Sequence, residues 1–214
     1  MKKIDYSLMF VTDERITDDK QFLDVLESSL KGGTTIVQLR EKRLTTKLFY
    51  KRALAVKKLC TKYRTPLIIN DSIDIALAIN ADGVHIGQKD LPVTVARKLL
   101  GLHKIIGLSI SNEQQAITAN NLDLDYIGLS PIFKTDTKIE DIDVPIGIEG
   151  LKKIKLISNK RIICIGGIDK NNIAILIQNG TDGIAVVSAI SKANNPEYAT
   201  IQLKKIICQT GMKK

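Results

Sequence analysis

The segment TIVQLREKRLTTKLFYKRALAVKKLCTKYRTPLIIND (35–71) decides the fold. Two short apolar runs, TIVQLR (35–40) and PLIIND (66–71), bracket a longer stretch in which Leu48, Ala55, Leu59 and Tyr63 recur at helical spacing among lysines. Near-continuous Ile and Val is what a parallel strand shows when both of its faces are buried. Strand, helix, strand in that order is the repeating unit of a parallel α/β fold. Working outward, the alternation continues both ways. SLMFVTD (7–13) lies upstream, and GVHIG (83–87), KIIGLSI (104–110), DYIGLSPIF (125–133), IICIGGI (162–168) and GIAVVSAI (183–190) lie downstream. A last amphipathic segment carries Ile201, Leu203, Ile206 and Ile207. Eight strands and eight helices in 214 residues predict a single (β/α)₈ TIM barrel, one α/β domain over residues 1–214. A doubly wound sheet is the alternative, but no G-x-G-x-x-G follows the first strand.

Composition agrees with one globular domain: 44% hydrophobic and 26% charged residues. No apolar run is long enough for a membrane span, and the start MKKIDYSLMF does not read as a signal peptide. Cys60, Cys164 and Cys208 are odd in number and without a C-x-x-C, so they read as reduced, mostly buried thiols of a cytoplasmic protein. The net charge of +9 suits anionic partners, or simply lysines solvating helix faces. Aromatic residues make up 4% of the chain and there is no Trp, which argues against nucleic acid and leaves phosphorylated small molecules. A homo-oligomer is compatible with the sequence.

A barrel's site lies at the C-terminal ends of its strands. Those ends read Gln38-Leu39-Arg40-Glu41-Lys42, Asn70-Asp71, Gln88-Lys89-Asp90, Ser109-Ile110-Ser111, Thr135-Asp136-Thr137-Lys138, Gly166-Gly167 and Val187-Ser188. Asp71 and Asp90 end neighbouring strands and could share Mg²⁺, which takes a few carboxylate oxygens beside water and phosphate. Taken alone, each would more often cap the helix that follows. Arg40 and Lys42 alternate along one strand end and so face the same way, fit to grip a diphosphate or to form rim salt bridges with Glu41. Gly166-Gly167, beside Val187-Ser188, fits a phosphate site on the last two strands, although Gly-Gly alone is a common tight turn. His85 reads as a packed strand histidine and His103 as a loop residue. The polar connection KTDTKIEDIDVPIG (134–147) reads as a lid or as plain disorder. No internal repeat stands out. G-x-S-x-G, Walker and Cys–His signatures are missing, which favours chemistry without a strong general base.

The motifs QLREK (38–42), IIND (68–71), GVHIGQKDLP (83–92), YIGLSPIFKTDTK (126–138), IGGI (165–168) and VVSAI (186–190), with the glycine and serine of IGLS (106–109), resemble the thiamine-phosphate synthase family along the whole chain. The resemblance implies a transferase joining hydroxymethylpyrimidine diphosphate to hydroxyethylthiazole phosphate, with pyrophosphate leaving first and the unprotonated thiazole nitrogen then attacking. By similarity, Gln38, Leu39, Arg40, Glu41, Lys42, Asn70, Ser109 and Lys138 would bind the pyrimidine diphosphate. Arg40, Lys42 and Lys138 would stabilise the departing charge, and Asp71 and Asp90 would carry Mg²⁺. Thr135, Asp136, Thr137, Gly167, Val187 and Ser188 would hold the thiazole phosphate. The chain departs from the family pattern at Ser111, where a histidine is frequent, at Ser130, where glycine is, and at Lys134, where proline is. Two rivals are a thiazole tautomerase of a sister family, and a non-catalytic basic barrel that binds RNA or phosphometabolites.

Overall fold

The computed structural model describes residues 4–135 and 144–212. Eight parallel strands close in sequence order into one barrel: β1 (Leu8–Val11), β2 (Ile36–Leu39), β3 (Leu67–Asn70), β4 (Gly83–Ile86), β5 (Ile105–Ile110), β6 (Tyr126–Leu129), β7 (Arg161–Cys164) and β8 (Gly183–Val186). Every predicted apolar run supplies one of them. The runs' trailing residues leave the sheet and become the rim. The intervening helices are α1 (Asp19–Lys31), α2 (Thr46–Lys62), α3 (Ile73–Ala78), α4 (Val93–Leu100), α5 (Glu113–Asn120), α6 (Gly147–Ile157) and α7 (Ile173–Gln178). Two more follow β8: a single turn, α8 (Ser188–Ser191), and the closing helix α9 (Pro196–Thr210). The described residues thus hold nine helices, one beyond expectation, because Ser188-Ala189-Ile190 coils where the apolar run suggested more strand.

Strand alternation sorts the core into two shells. Met9, Val11, Ile36, Ile68, Ile105, Tyr126, Ile163 and Ala185 fill the barrel itself. Leu8, Phe10, Val37, Leu39, Leu67, Ile69 and their counterparts point outward against the helices. Helix ends are set locally. Asp18, Asn112 and Asn195 accept backbone N–H bonds at the starts of α1, α5 and α9. Gly211 ends α9 at φ 83°, a left-handed conformation that glycine takes without strain. The buried face of α2 is a correction. It is Phe49, Arg52, Ala53, Val56 and Cys60, one position round from the expected stripe, and Leu48 is exposed.

Opposite the site, a repeated clamp ties the strands in pairs. Asp82, Asp125 and Asp182 each stand just before an even strand, and each accepts a backbone N–H of the preceding odd strand, at Leu67 (2.9 Å), Ile106 (2.8 Å) and Ile162 (2.8 Å). The same carboxylates pair with Lys57, Arg97 and Lys155. Thr35 does the equivalent for Leu8 at 3.0 Å. Rim residues of neighbouring strands are therefore held level with one another.

Candidate active site

A cavity of about 900 Å³ opens at the C-terminal ends of the strands and is lined from all eight. The β2 end shows how alternation builds it. Gln38, Arg40 and Lys42 line the cavity. The side chains of Leu39 and Glu41 lie on the other face, outside the cavity lining. Leu39 is fully buried in the outer core. Glu41 accepts from Arg52 Nη1 at 2.9 Å and caps the turn through the N–H groups of Arg43 and Leu44. Glu41 is thus no rim partner for Arg40 or Lys42. Arg40 instead donates to Glu14 at 2.6 Å, and Lys42 pairs with Asp71.

Asp71 and Asp90 do converge. Neither caps a helix: the residues before α3 and α4 are Ser72 and Pro92. Asp71 takes a hydrogen bond from Asn70 Nδ2 at 2.6 Å, and Asp90 takes one from Gly87 N–H at 2.7 Å. The two carboxyls are close enough to act on each other electrostatically. Burial first, and then Asp90, raise the pKa of Asp71 against the opposing pull of Lys42. Asp71 also holds φ 61°, an unfavourable backbone for a non-glycine residue that aims its side chain along the rim. Two neighbouring carboxylates at the rim suit a hard divalent cation. Among the described residues no group of three or more His, Cys, Asp or Glu could close around a metal. An ion here would keep positions for water and phosphate oxygens, as Mg²⁺ does.

The cavity floor is polar. His85 is buried, with Nδ1 2.9 Å from the Tyr126 hydroxyl and Nε2 2.8 Å from Ser109 Oγ. Burial holds its pKa down at about 4, so it is neutral near pH 7. It is a packed strand histidine, as expected, but packed inside the cavity; His103 is an exposed loop residue. On the opposite side lie Thr135, Gly166, Gly167, Val187 and Ser188. Gly167 has φ 64°, and a Cβ there would lie 2.5 Å from the Lys134 carbonyl oxygen, so this approach requires glycine. Within the described residues, the backbone N–H groups of Gly166, Gly167, Val187 and Ser188 donate no hydrogen bond. Asp136, Thr137, Lys138 and most of the expected lid lie outside the described residues.

The family model for thiamine monophosphate synthase matches residues 8–190. Among curated proteins, the chain is 46% identical to thiamine-phosphate synthase of Clostridium novyi, covering 95% of this chain and 99% of that one. It is 44% identical to the same enzyme of Persephonella marina, over 97% and 98%. Among solved structures it resembles thiamine phosphate pyrophosphorylase of Pyrococcus furiosus, with TM-score 0.86, 33% identity and coverage of 97% and 98%. The chain belongs to the thiamine monophosphate synthase family.

Membership makes the chain an enzyme of the transferase class. The three positions read from the sequence as departures, Ser111, Ser130 and Lys134, lie at one side of the cavity. Ser111 and Ser130 line it, and Lys134 is exposed beside it. Ser111 donates its backbone N–H to Gln115 at 2.7 Å, so it belongs to the loop entering α5. The β1 end was missed by sequence reasoning. Thr12, Asp13 and Glu14 line the cavity, yet an acidic Thr-Asp-Glu run looks like a solvated turn. Burial opposes ionisation of Asp13, but bonds from Arg15 and Ser191 prevail and hold its pKa below the usual carboxylate range. Glu14 Oε2 is buried and has no partner among the described residues. The thiols are as expected in kind: Cys60 and Cys164 are buried, each pushed up to about 12 by burial, and Cys208 is exposed. Among the described residues no helix is long and apolar enough to cross a membrane.

Proposed function

We propose that this chain joins hydroxymethylpyrimidine diphosphate to hydroxyethylthiazole phosphate, forming thiamine phosphate and releasing pyrophosphate. The observation that carries the reading is the juxtaposition, in one cavity of a member of this family, of Arg40 and Lys42 with the neighbouring carboxyls of Asp71 and Asp90. In the reaction the carbon–oxygen bond to the diphosphate breaks with its electron pair going to pyrophosphate. The ring nitrogen of the thiazole then forms the new carbon–nitrogen bond and becomes positively charged. That nitrogen carries no proton, so none has to be removed. The floor agrees with such chemistry, because both nitrogens of His85 are engaged and its burial keeps it from acting as a base of ordinary strength.

Arg40 and Lys42 would take up the charge of the departing pyrophosphate, the first through its fork and the second as a point charge. Asp71 and Asp90 would hold Mg²⁺, which when bound supplies further neutralisation of that charge. Gln38, Asn70 and Ser109 would bind the pyrimidine, and Gly167, Val187 and Ser188, with Thr135, would hold the thiazole phosphate. The roles of Asp136, Thr137 and Lys138 rest on the resemblance alone. The acidic pair and the diphosphate grip favour this reading over a tautomerase or a non-catalytic barrel. Incubation of the purified protein with both substrates and Mg²⁺ should yield thiamine phosphate and pyrophosphate in equal amounts. Failure to form either product would refute the proposal.

A further inference from the structure

The cavity floor holds a row of hydrogen bonds that the phosphate chemistry above it does not use. His85 and Tyr126 are both buried, with stacked rings 5.5 Å apart at 25°. The backbone makes room for this pair alone. A Cβ on Gly107 would lie 2.1 Å from Tyr126 Cζ and 2.6 Å from His85 Nδ1, and one on Gly128 would lie 2.8 Å from His85 Cε1. Two strands thus give up an inward side chain so that an imidazole and a phenol can meet.

The direction of each bond follows from which atoms have hydrogens to give. The Gln38 amide nitrogen faces Met9 Sδ at 3.5 Å. Tyr126 is buried and has an O–H to give, and His85 Nδ1, 2.9 Å away, is the acceptor in reach among the described residues. The reverse arrangement would leave a buried phenolic hydrogen without an acceptor, which folded proteins avoid. With Nδ1 accepting, the imidazole proton sits on Nε2 and is donated to Ser109 Oγ at 2.8 Å. The hydrogen of Ser109 is thereby turned away from His85 and into the cavity.

We propose that Tyr126 and His85 are positioning residues that set Ser109 as a donor to the pyrimidine ring, so that the site selects a ring nitrogen carrying no proton. This rests on the reading of the chain as a thiamine-phosphate-forming enzyme. A 4-aminopyrimidine presents such a nitrogen beside its amino group. The 4-oxo counterpart carries N–H at that nitrogen and meets Ser109 donor to donor.

The test measures calorimetric binding and turnover of the 4-amino and 4-oxo pyrimidine diphosphates on wild type, Tyr126→Phe, His85→Leu, His85→Gln and Ser109→Ala. Wild type should bind the amino compound at least about tenfold more tightly, the worth of one mispaired buried polar group. Tyr126→Phe and His85→Leu should reduce that ratio most of the way to that of Ser109→Ala. His85→Gln, whose amide N–H can stand in for Nε2–H, should keep it. A merely structural role would weaken both ligands alike, so an unchanged ratio in Tyr126→Phe overturns the proposal even if His85→Leu fails to fold. Equal binding of the two compounds by wild type overturns it too. Selective binding by wild type without thiamine phosphate formation would sink the catalytic reading and leave this one standing. Thiamine phosphate formed by wild type, with full selectivity kept in Tyr126→Phe, would do the opposite.

Discussion

Replacing Asp90 by asparagine separates the cost of holding two carboxylates together from the use made of them. Asn keeps the shape and can still accept from Gly87 N–H, so the loop it closes is preserved. What changes is the charge facing Asp71, which adds to burial in raising the pKa of that residue. Two carboxylates ~4 Å apart repel by ~1–4 kcal/mol at effective permittivities of ~80 to ~20. Lys42, paired with Asp71 and 46% exposed, offsets most of this. A net strain on the order of 1 kcal/mol remains. Metal-free Asp90→Asn should therefore melt ~2–4 °C above wild type, the shift expected for that energy in a chain of this size. The order should invert with magnesium. Wild type should gain stability as Mg²⁺ is titrated, by binding linkage, while Asp90→Asn gains less. Its pyrophosphate release should need roughly tenfold more Mg²⁺ for half activation. The assays are thermal melts and pyrophosphate release, both against Mg²⁺ concentration. Superimposable Mg²⁺ curves for the two proteins would refute the shared-cation reasoning.

Three further outcomes are expected. His85 is neutral in the fold, with its pKa lowered from 6.5 to about 4. Unfolding then binds a proton between those values, so stability falls as pH drops through that window by up to about 3 kcal/mol; urea melts from pH 7 to 4.5 should show the loss in wild type and much less of it in His85→Gln. Glu41→Gln removes the buried negative charge facing Arg52, leaving Asp19 as its remaining carboxylate partner; denaturation should show a cost of about 3 kcal/mol, while KM for the pyrimidine diphosphate stays near the wild-type value because Glu41 faces away from the cavity. Gly107→Ala places a methyl group where Tyr126 sits; a loss of ~1–3 kcal/mol by denaturation is expected, and unchanged stability would show that the floor is looser than the contacts imply.

The barrel was legible because buried parallel strands leave a strong apolar trace, and each run of Ile and Val became a strand. Facing was harder to read. In α2 the apolar stripe includes Arg52, whose charge is taken up by Glu41 and Asp19, so a search for apolar periodicity settles on Leu48 and its neighbours, one position away. The clamps at Asp82, Asp125 and Asp182 form a structural repeat that the sequence reading did not pick out, because a single carboxylate carries each one. His85 was assigned to the right element but not to the cavity. The signal lies elsewhere in the chain: Gly107 and Gly128 fall at inward positions of β5 and β6, where a barrel normally places large side chains.

The site's charges explain why a chain of net charge +9 lines its cavity with acids. Arg40 is bound to Glu14 and Lys42 to Asp71, so each of these cations is held by a carboxylate. Without those partners the side chains would be free to swing away, and ordering them would cost entropy each time a ligand bound. On the function proposed above, the carboxylates would pre-organise the grip, and diphosphate binding would be an exchange of partners. The two exchanges differ. Glu14 is more deeply buried than Asp71 and, among the described residues, keeps one oxygen unpartnered, so Arg40 can remain on Glu14 while its other N–H groups turn to phosphate. Lys42 has a single charge centre and cannot serve two anions as well as one. If Asp71 is given over to a divalent cation, its hold on Lys42 weakens, and the lysine becomes available to the same diphosphate that completes the cation's coordination. On this account the acidic pair and the β2 cations are one device, in which each ligand lowers the cost of binding the other.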